Sequence, residues 1–296
     1  MRNKIVPGLL FAVLWASGSV AFKFGIKSAD PLILAALRFI GTGLLFGPYF
    51  MAKKVQRFMP TLIEWKAILI YGLLNTTLTL GAFAAAQQYA SAGISMLFIA
   101  VTPLVIGFLS ALMLKRKLSP TEIAGMVVAF SGLVLAAALD LPKAQIKPVG
   151  IVLLLVYVIA YAMSSIYFSK LKISLPRVAF NVWQVFLGGL MLLPISLLFN
   201  QNHVHHWDAH LWLALTWMII ALSFIANQLW LYLVKLDTVM AASWLYLVPV
   251  LGYVYGYVLL GESITWWAMA GTILVICGLI ISRRPKVENV NTRISE

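Results

Sequence analysis

Negative charge is scarce in this chain. Of 296 residues only 9 are Asp or Glu, against 22 Lys or Arg, and charged residues make up 10% in all. A soluble domain carries about 25%, so a water-soluble globule is excluded. With 62% hydrophobic residues, the chain reads as a membrane protein. Cysteine occurs once, at Cys277, which excludes a disulfide within the chain and any thiol cluster for a metal. No Gly-rich Walker-type phosphate loop is present, which argues against ATP-driven transport. The net charge of +13 would suggest nucleic acid in a soluble protein. Here it is read as basic residues gathered on cytoplasmic loops, with membrane lipids rather than nucleic acid as the surroundings.

What is present is a series of apolar runs near the 20 residues that a membrane crossing needs. Ten are read, at 5–24, 32–51, 66–87, 92–114, 120–139, 149–168, 179–199, 210–234, 239–260 and 264–282. The first could pass for a signal peptide ending at "SVA", but it is read as a retained helix because the repeat described next requires it. With the N-terminus in the cytoplasm, outer segments hold Lys23, Lys27, Lys143 and Lys147. Arg38 lies inside a span, and the remaining 17 of the 22 basic residues fall on the cytoplasmic side. That bias places both termini in the cytoplasm.

The chain resembles itself at an offset of 146. Pro48 falls on Pro194, Pro103 on Pro249, Gly43 on Gly189, Gly125 on Gly271 and Gly132 on Gly278. The expected organisation is therefore an all-α integral membrane protein of ten transmembrane helices in two five-helix repeats, 1–146 and 147–296. An odd number of spans per repeat inverts the second copy, an arrangement characteristic of secondary transporters with a site near the midplane.

Several stretches carry a family likeness: "LWASGSVAFKFG", "ALRF", "SAGISMLFIAVTPLVIGFLSALML" and "LYLVPVLGYVYGYVLLGESITWWAMAGTILVICGLII". Over nearly its whole length the chain resembles the EamA-type proteins of the drug/metabolite transporter superfamily. The resemblance implies a ten-helix inner-membrane carrier of small metabolites, often an exporter of amino acids or related compounds. One departure stands out. The second half keeps the family's Gly-Glu as Gly261 and Glu262, whereas the first half has Lys115 and Arg116 there.

No Asp or Glu is read inside any span. Glu64, Glu122, Asp237, Glu288 and Glu296 fall on the cytoplasmic side, and Asp30, Asp140, Asp208 and Glu262 on the outer side. Buried carboxylates are common proton relays in pumps, so simple carboxylate-based proton coupling is disfavoured. With no His, Asp or Glu read in the spans, an intramembrane enzyme would lack catalytic groups; a small-molecule receptor is disfavoured because no appended signalling domain is read.

The candidate substrate cavity is built from neutral polar and aromatic residues: Asn75, Thr79, Thr102, Asn181, Gln184 and Asn227, with Trp15, Phe98, Tyr161 and Trp244. Polar groups in a bundle face its interior or a watery path, although simple interhelical hydrogen bonding remains the alternative. The offset pairs Arg38 with Gln184, Trp15 with Tyr161, and Phe98 with Trp244. Arg38 keeps two readings: a cation facing the cavity, or a side chain snorkelling to the outer headgroups. Pro103 and Pro249 each remove a helical hydrogen bond mid-span, as gating kinks or as static ones. The paired glycines are read as helix packing, and Trp266 and Trp267 as interface belt. His203, His205, His206 and His210 all lie in the outer stretch "HVHHWDAH". They are read as a solvated loop away from the cavity rather than a metal site. The resulting expectation is a monomeric carrier for a small-molecule substrate, with no cofactor, exporting or alternatively importing it.

Overall fold

In the computed structural model, residues 2–53, 57–90, 92–115, 117–136, 147–198, 203–260 and 266–282 are described. Arg116, Asp140, Lys143, Gly261, Glu262 and the C-terminal tail, all read from the sequence above, lie outside them. Helices make up nearly all of the described chain, with one isolated antiparallel bridge between Ala29 and Val204. In order they are α1 (Arg2–Gly25), α2 (Pro31–Ala52), α3 (Leu62–Tyr71), α4 (Ala82–Ala86), α5 (Ala92–Met113), α6 (Pro120–Ala136), α7 (Pro148–Lys170), α8 (Arg177–Leu198), α9 (Ala209–Trp217), α10 (Asn227–Leu236), α11 (Thr238–Ser243), α12 (Leu247–Leu260) and α13 (Trp266–Ser282). Among the described residues, seven helical runs are long and apolar enough to cross a membrane. Three shorter apolar helices, Phe98–Met113, Pro120–Leu135 and Met269–Ser282, accompany them.

Two long runs are not plain α-helix. A π-helix, π1, spans Gly72–Gly81 between α3 and α4, and a second, π2, spans Met218–Ala226 between α9 and α10. Threonine side chains match the wider turn. Thr77 donates back to the Gly72 carbonyl and Thr79 to that of Leu74, each five residues earlier. Nothing in the hydropathy pattern announces either segment.

The third run begins at Leu62 rather than at the expected 66. Thr61 caps it: its hydroxyl accepts from the Glu64 N–H, while Glu64 Oε2 accepts from the Thr61 N–H at 2.9 Å. This capping box corrects the expectation that no carboxylate lies in a span. Glu64 stands in the first turn of α3 and is buried, and Glu122 stands in the first turn of α6. Glu64 also accepts from the Leu175 N–H at 3.0 Å and pairs with Arg57 at 3.0 Å, tying α3 to the loop before α8.

Helix boundaries recur at the offset of 146. The helices α2 and α8 start 146 residues apart, at Pro31 and Arg177, and so do π1 and π2, at Gly72 and Met218. Packing recurs with them. The helices α2 and α8 lie against each other, and so do α6 and α13. Likewise α1 packs on α9, π2, α10 and α12, while α7 packs on α3, π1, α4 and α5. Both self-pairs cross at glycines, as the packing reading expects. A Cβ at Gly189 would sit 2.7 Å from the Phe39 Cβ, and one at Gly278 would sit 2.6 Å from the Gly125 carbonyl oxygen. One residue away, Cys277 is exposed.

The outward faces are apolar and open, for example Leu44, Leu45, Leu62, Ile63, Leu197 and Leu198, as lipid contact demands. The largest core cluster is aromatic and lies inside the bundle, drawing on Phe11, Tyr71, Tyr157, Tyr161, Phe168, Phe180, Trp230 and Trp244.

Candidate substrate path

Arg38 points into the protein. Its Nε donates to Ser223 Oγ at 2.7 Å, and its guanidinium carbon lies 5.0 Å from the centre of the Phe39 ring. The side chain is half-buried and this bond turns it towards π2. A guanidinium keeps its charge, and the Ser223 hydroxyl on π2 supplies an acceptor where no acid does.

Ser223 is the edge of a wider network. Asn181 Nδ2 donates to the carbonyls of Ser223 and Phe224, both at 3.2 Å. Asn181 Oδ1 accepts from Asn227 at 2.8 Å and from Gln184 at 3.1 Å. Gln184 Oε1 in turn accepts from Thr76 at 2.8 Å, and Thr77 donates to the Gly188 carbonyl at 2.8 Å. Thus Arg38, Asn181, Gln184 and Asn227, all singled out from the sequence, belong to one hydrogen-bonded assembly joining α2, π1, α8, π2 and α10. Such a satisfied buried network rigidifies the helices that it joins. Gly72 permits it to form, because a Cβ there would meet the Gln184 carbonyl oxygen at 2.8 Å.

The aromatic interior lies where α1 and α7 each meet α10. Phe11 is 5.5 Å from Trp15 and 5.2 Å from Trp230, and Trp230 is 5.1 Å from Tyr161, between ring centres. Trp244 closes over α1 at Gly8, where a Cβ would fall 1.8 Å from Cε2 of the indole. Three polar tips in this interior, Tyr71 Oη, Tyr161 Oη and Trp230 Nε1, have no hydrogen-bond partner among the described residues. Tyr71, Tyr161 and Trp230 are 0%, 2% and 1% exposed, so each tip is closed off from bulk water. An orphaned buried donor is costly and calls for a partner.

Other predicted residues behave more plainly. Thr79 and Thr102 return their hydroxyls to the carbonyls of Leu74 and Phe98 in their own helices. Asn75 is buried in π1, and Phe98 packs at the edge of the aromatic cluster. Pro103 sits within an unbroken α5, whereas Pro249 follows a 3-10 turn, Trp244–Tyr246, that interrupts the ninth run.

A cavity of about 570 Å³ opens elsewhere, between the start of α2, π1, α4, α7 and α8. None of the predicted residues lines it. Its walls include Leu32, Thr77, Leu78, Tyr89, Val156 and Leu192, mostly aliphatic side chains. The positions 146 residues away from Leu78 and Leu192 are Phe224 and Phe46. Their rings stack 3.9 Å apart. Sequence reasoning also missed Ser223, Tyr71 and Trp230. Ser223 stands 146 residues beyond Thr77, so the repeat carried a signal for it; Trp230 pairs with Ala84 and had none.

The histidine stretch is exposed, as expected, but it is not loose. His205 and His206 donate their N–H groups to the Ser28 carbonyl at 2.8 and 3.1 Å, and Asp30 N–H donates to the His203 carbonyl at 3.0 Å. Asp208 caps α9 by accepting from the Leu211 N–H at 3.0 Å and also accepts from the Ser28 hydroxyl at 2.7 Å. These two contacts, the backbone one first, hold its carboxyl down to about 2.

Apolar outer faces around a polar network and an aromatic interior define a multi-pass membrane protein. The chain belongs to the EamA-like transporter family, whose sequence profile matches residues 4–138 and again 148–284. It is similar to a "probable amino-acid metabolite efflux pump" of Salmonella typhimurium, 28% identical over 287 residues that cover 93% of this chain and 92% of that one. It is also similar to the "uncharacterized transporter YoaV" of Bacillus subtilis, 25% identical over 94% of this chain and 96% of that one. A third relative is the "uncharacterized inner membrane transporter YedA" of Escherichia coli K12, 26% identical over 92% and 89%. A crystal structure of a protein 17% identical in sequence superimposes with a TM-score of 0.79 over 95% of this chain and 97% of the other, a likeness of fold.

Proposed function

We propose that this protein is a secondary transporter of the inner membrane that moves small amphipathic metabolites by alternating access, exporting amino acids or related compounds. In this reading ten helices form two inverted halves, 1–146 and 147–296, and both termini face the cytoplasm. Matching starts of α2 with α8 and of π1 with π2, the paired packing of α2 with α8 and of α6 with α13, and the twofold family match support the two halves. The Salmonella relative supports the substrate class.

The observation that carries the proposal is the asymmetry between equivalent places. One half leaves a cavity of about 570 Å³ beside Leu78 and Leu192, a size in the range of small-molecule sites. In the other half the residues at the equivalent positions, Phe224 and Phe46, are aromatic and stack on each other. Two similar halves that exchange these arrangements would open the bundle to each side in turn. The substrate contacts are assigned to the aromatic interior. There Tyr161, Tyr71 and Trp230 offer apolar area with a polar tip, and Trp15, Phe98 and Trp244 flank them.

The test is flux in proteoliposomes made with the purified protein, using a panel of labelled amino acids and related solutes without ATP. Counterflow of at least one such solute is the expected result; no movement of any of them would overturn the proposal. Running each solute in both directions, with and without a pH gradient, distinguishes export from uptake and coupling from facilitated diffusion.

A further inference from the structure

The contact between the α2 start and the histidine stretch brings three metal-ligating groups together from distant parts of the chain. His203 Nδ1 lies 3.5 Å from Asp30 Oδ2, and His205 Nε2 lies 3.2 Å from Asp30 Oδ1. The candidate donor atoms of all three residues fall within 4.8 Å of one another. Zinc bonds to nitrogen and oxygen are about 2.0–2.2 Å long, so neighbouring ligands of a tetrahedral ion stand roughly 3.3–3.6 Å apart. The two His–Asp separations are close to that spacing, each histidine facing a different oxygen of the Asp30 carboxylate. We propose that Asp30, His203 and His205 form a binding site for one divalent transition cation, with zinc as its best match, and that the bound ion clamps the start of α2 to the loop before α9.

The frame around the three side chains is already built. The Ala29–Val204 bridge and the backbone bonds from Asp30 to His203 and from His205 to Ser28 fix the two strands of chain. Asp30 Oδ2 also accepts from the His203 N–H at 2.9 Å, which orients the carboxylate from outside the ligand set, as supporting groups do in metal sites. Asp30 caps α2 without a side-chain bond to that helix, so its carboxylate is not committed to capping. Two imidazoles and a carboxylate suit zinc, copper or nickel better than magnesium or calcium. The side chains of His203, His205 and Asp30 are 65%, 38% and 23% exposed, which leaves an entry path and a fourth position for water. His206 stands beside the set, and His210 is paired with Asp208 at 3.2 Å.

The experiment uses the full chain in detergent with its purification tag removed. Zinc binding is followed by calorimetry and thermal unfolding, and cobalt serves as a visible-absorption reporter of tetrahedral coordination. The expected result is one ion per chain, a raised unfolding temperature, and affinity weakened more than roughly ten-fold by each of Asp30→Asn, His203→Gln and His205→Gln. His206→Gln and His210→Gln should leave affinity unchanged. The histidine variants remove exposed rings, so their unfolding without metal should match the parent and show that the fold is intact. Absence of saturable binding, equal affinity in His205→Gln, or loss of binding through His210→Gln would each overturn the site. The transport proposal is read in a separate flux assay without zinc, so the two fail independently.

Discussion

Arg38 and Ser223, 185 positions apart in the chain, meet through one hydrogen bond of 2.7 Å between a guanidinium Nε and a hydroxyl. The bond fastens α2 to π2, and through Asn181 it draws in the rest of the polar network. A double-mutant cycle with Arg38→Ala and Ser223→Ala should show a coupling of about 1.5–3 kcal/mol in thermal or denaturant unfolding, as for hydrogen bonds to charged groups. Arg38→Lys should recover only part of it, because an ammonium cannot reproduce the planar fork. Strictly additive single effects would show that the bond does not contribute.

Tyr161 separates a packing role from a contact with substrate. Its hydroxyl has no hydrogen-bond partner among the described residues, so Tyr161→Phe should leave the unfolding temperature unchanged or slightly raised. If the phenol meets substrate, the same change should raise KM by about ten-fold, the equivalent of one hydrogen bond of about 1.4 kcal/mol. An unchanged KM in the flux assay would remove Tyr161 from the substrate path.

The Phe46–Phe224 stack can be converted to what the other half carries. The double variant Phe46→Leu, Phe224→Leu places leucines where Leu192 and Leu78 stand 146 residues away. It should weaken closure at that place and, in a Cys277→Ser background, raise the accessibility of a cysteine introduced on α10 at Leu231, measured with a water-soluble maleimide. Labelling no faster than in the unmodified stack would argue against these rings as a closing element.

Asp208 gives a pH dependence with a definite sign. Its carboxyl titrates near 2 when folded because the Leu211 N–H and the Ser28 hydroxyl favour the charged form, whereas an unperturbed Asp titrates near 3.9. The stabilisation is therefore complete above about pH 4 and is lost as the pH falls towards 2. In Asp208→Ala the unfolding temperature should fall less steeply over that window than in the parent, as read by thermal scans at graded pH. Parallel curves would show that the contact is not coupled to folding.

The sequence was most legible where periodicity and repetition both spoke. The offset that pairs Arg38 with Gln184 did place two members of one network, because the helices carrying them, α2 and α8, pack on each other. The glycines at 125 and 278 were readable for the same reason. The π-segments were not, since a change from one hydrogen-bond register to another leaves composition untouched. The start of α3 was missed because Glu64 looks like a loop residue until Thr61 is recognised as its partner in a capping box. The cavity escaped because Leu32, Leu78 and Leu192 differ from lipid-facing leucines only in what stands opposite them. The histidine stretch reads as solvent-exposed, and only folding sets Asp30 beside it.

The crossing of α6 with α13 has a practical corollary. Gly125 and Gly278 sit so close that neither can carry a side chain without displacing the other helix, yet Cys277 is exposed one residue away. The chain thus comes with a single native thiol beside one of its tightest joints. A fluorophore or spin label attached there would report on that joint spectroscopically, with no second cysteine to remove and no engineered one to add.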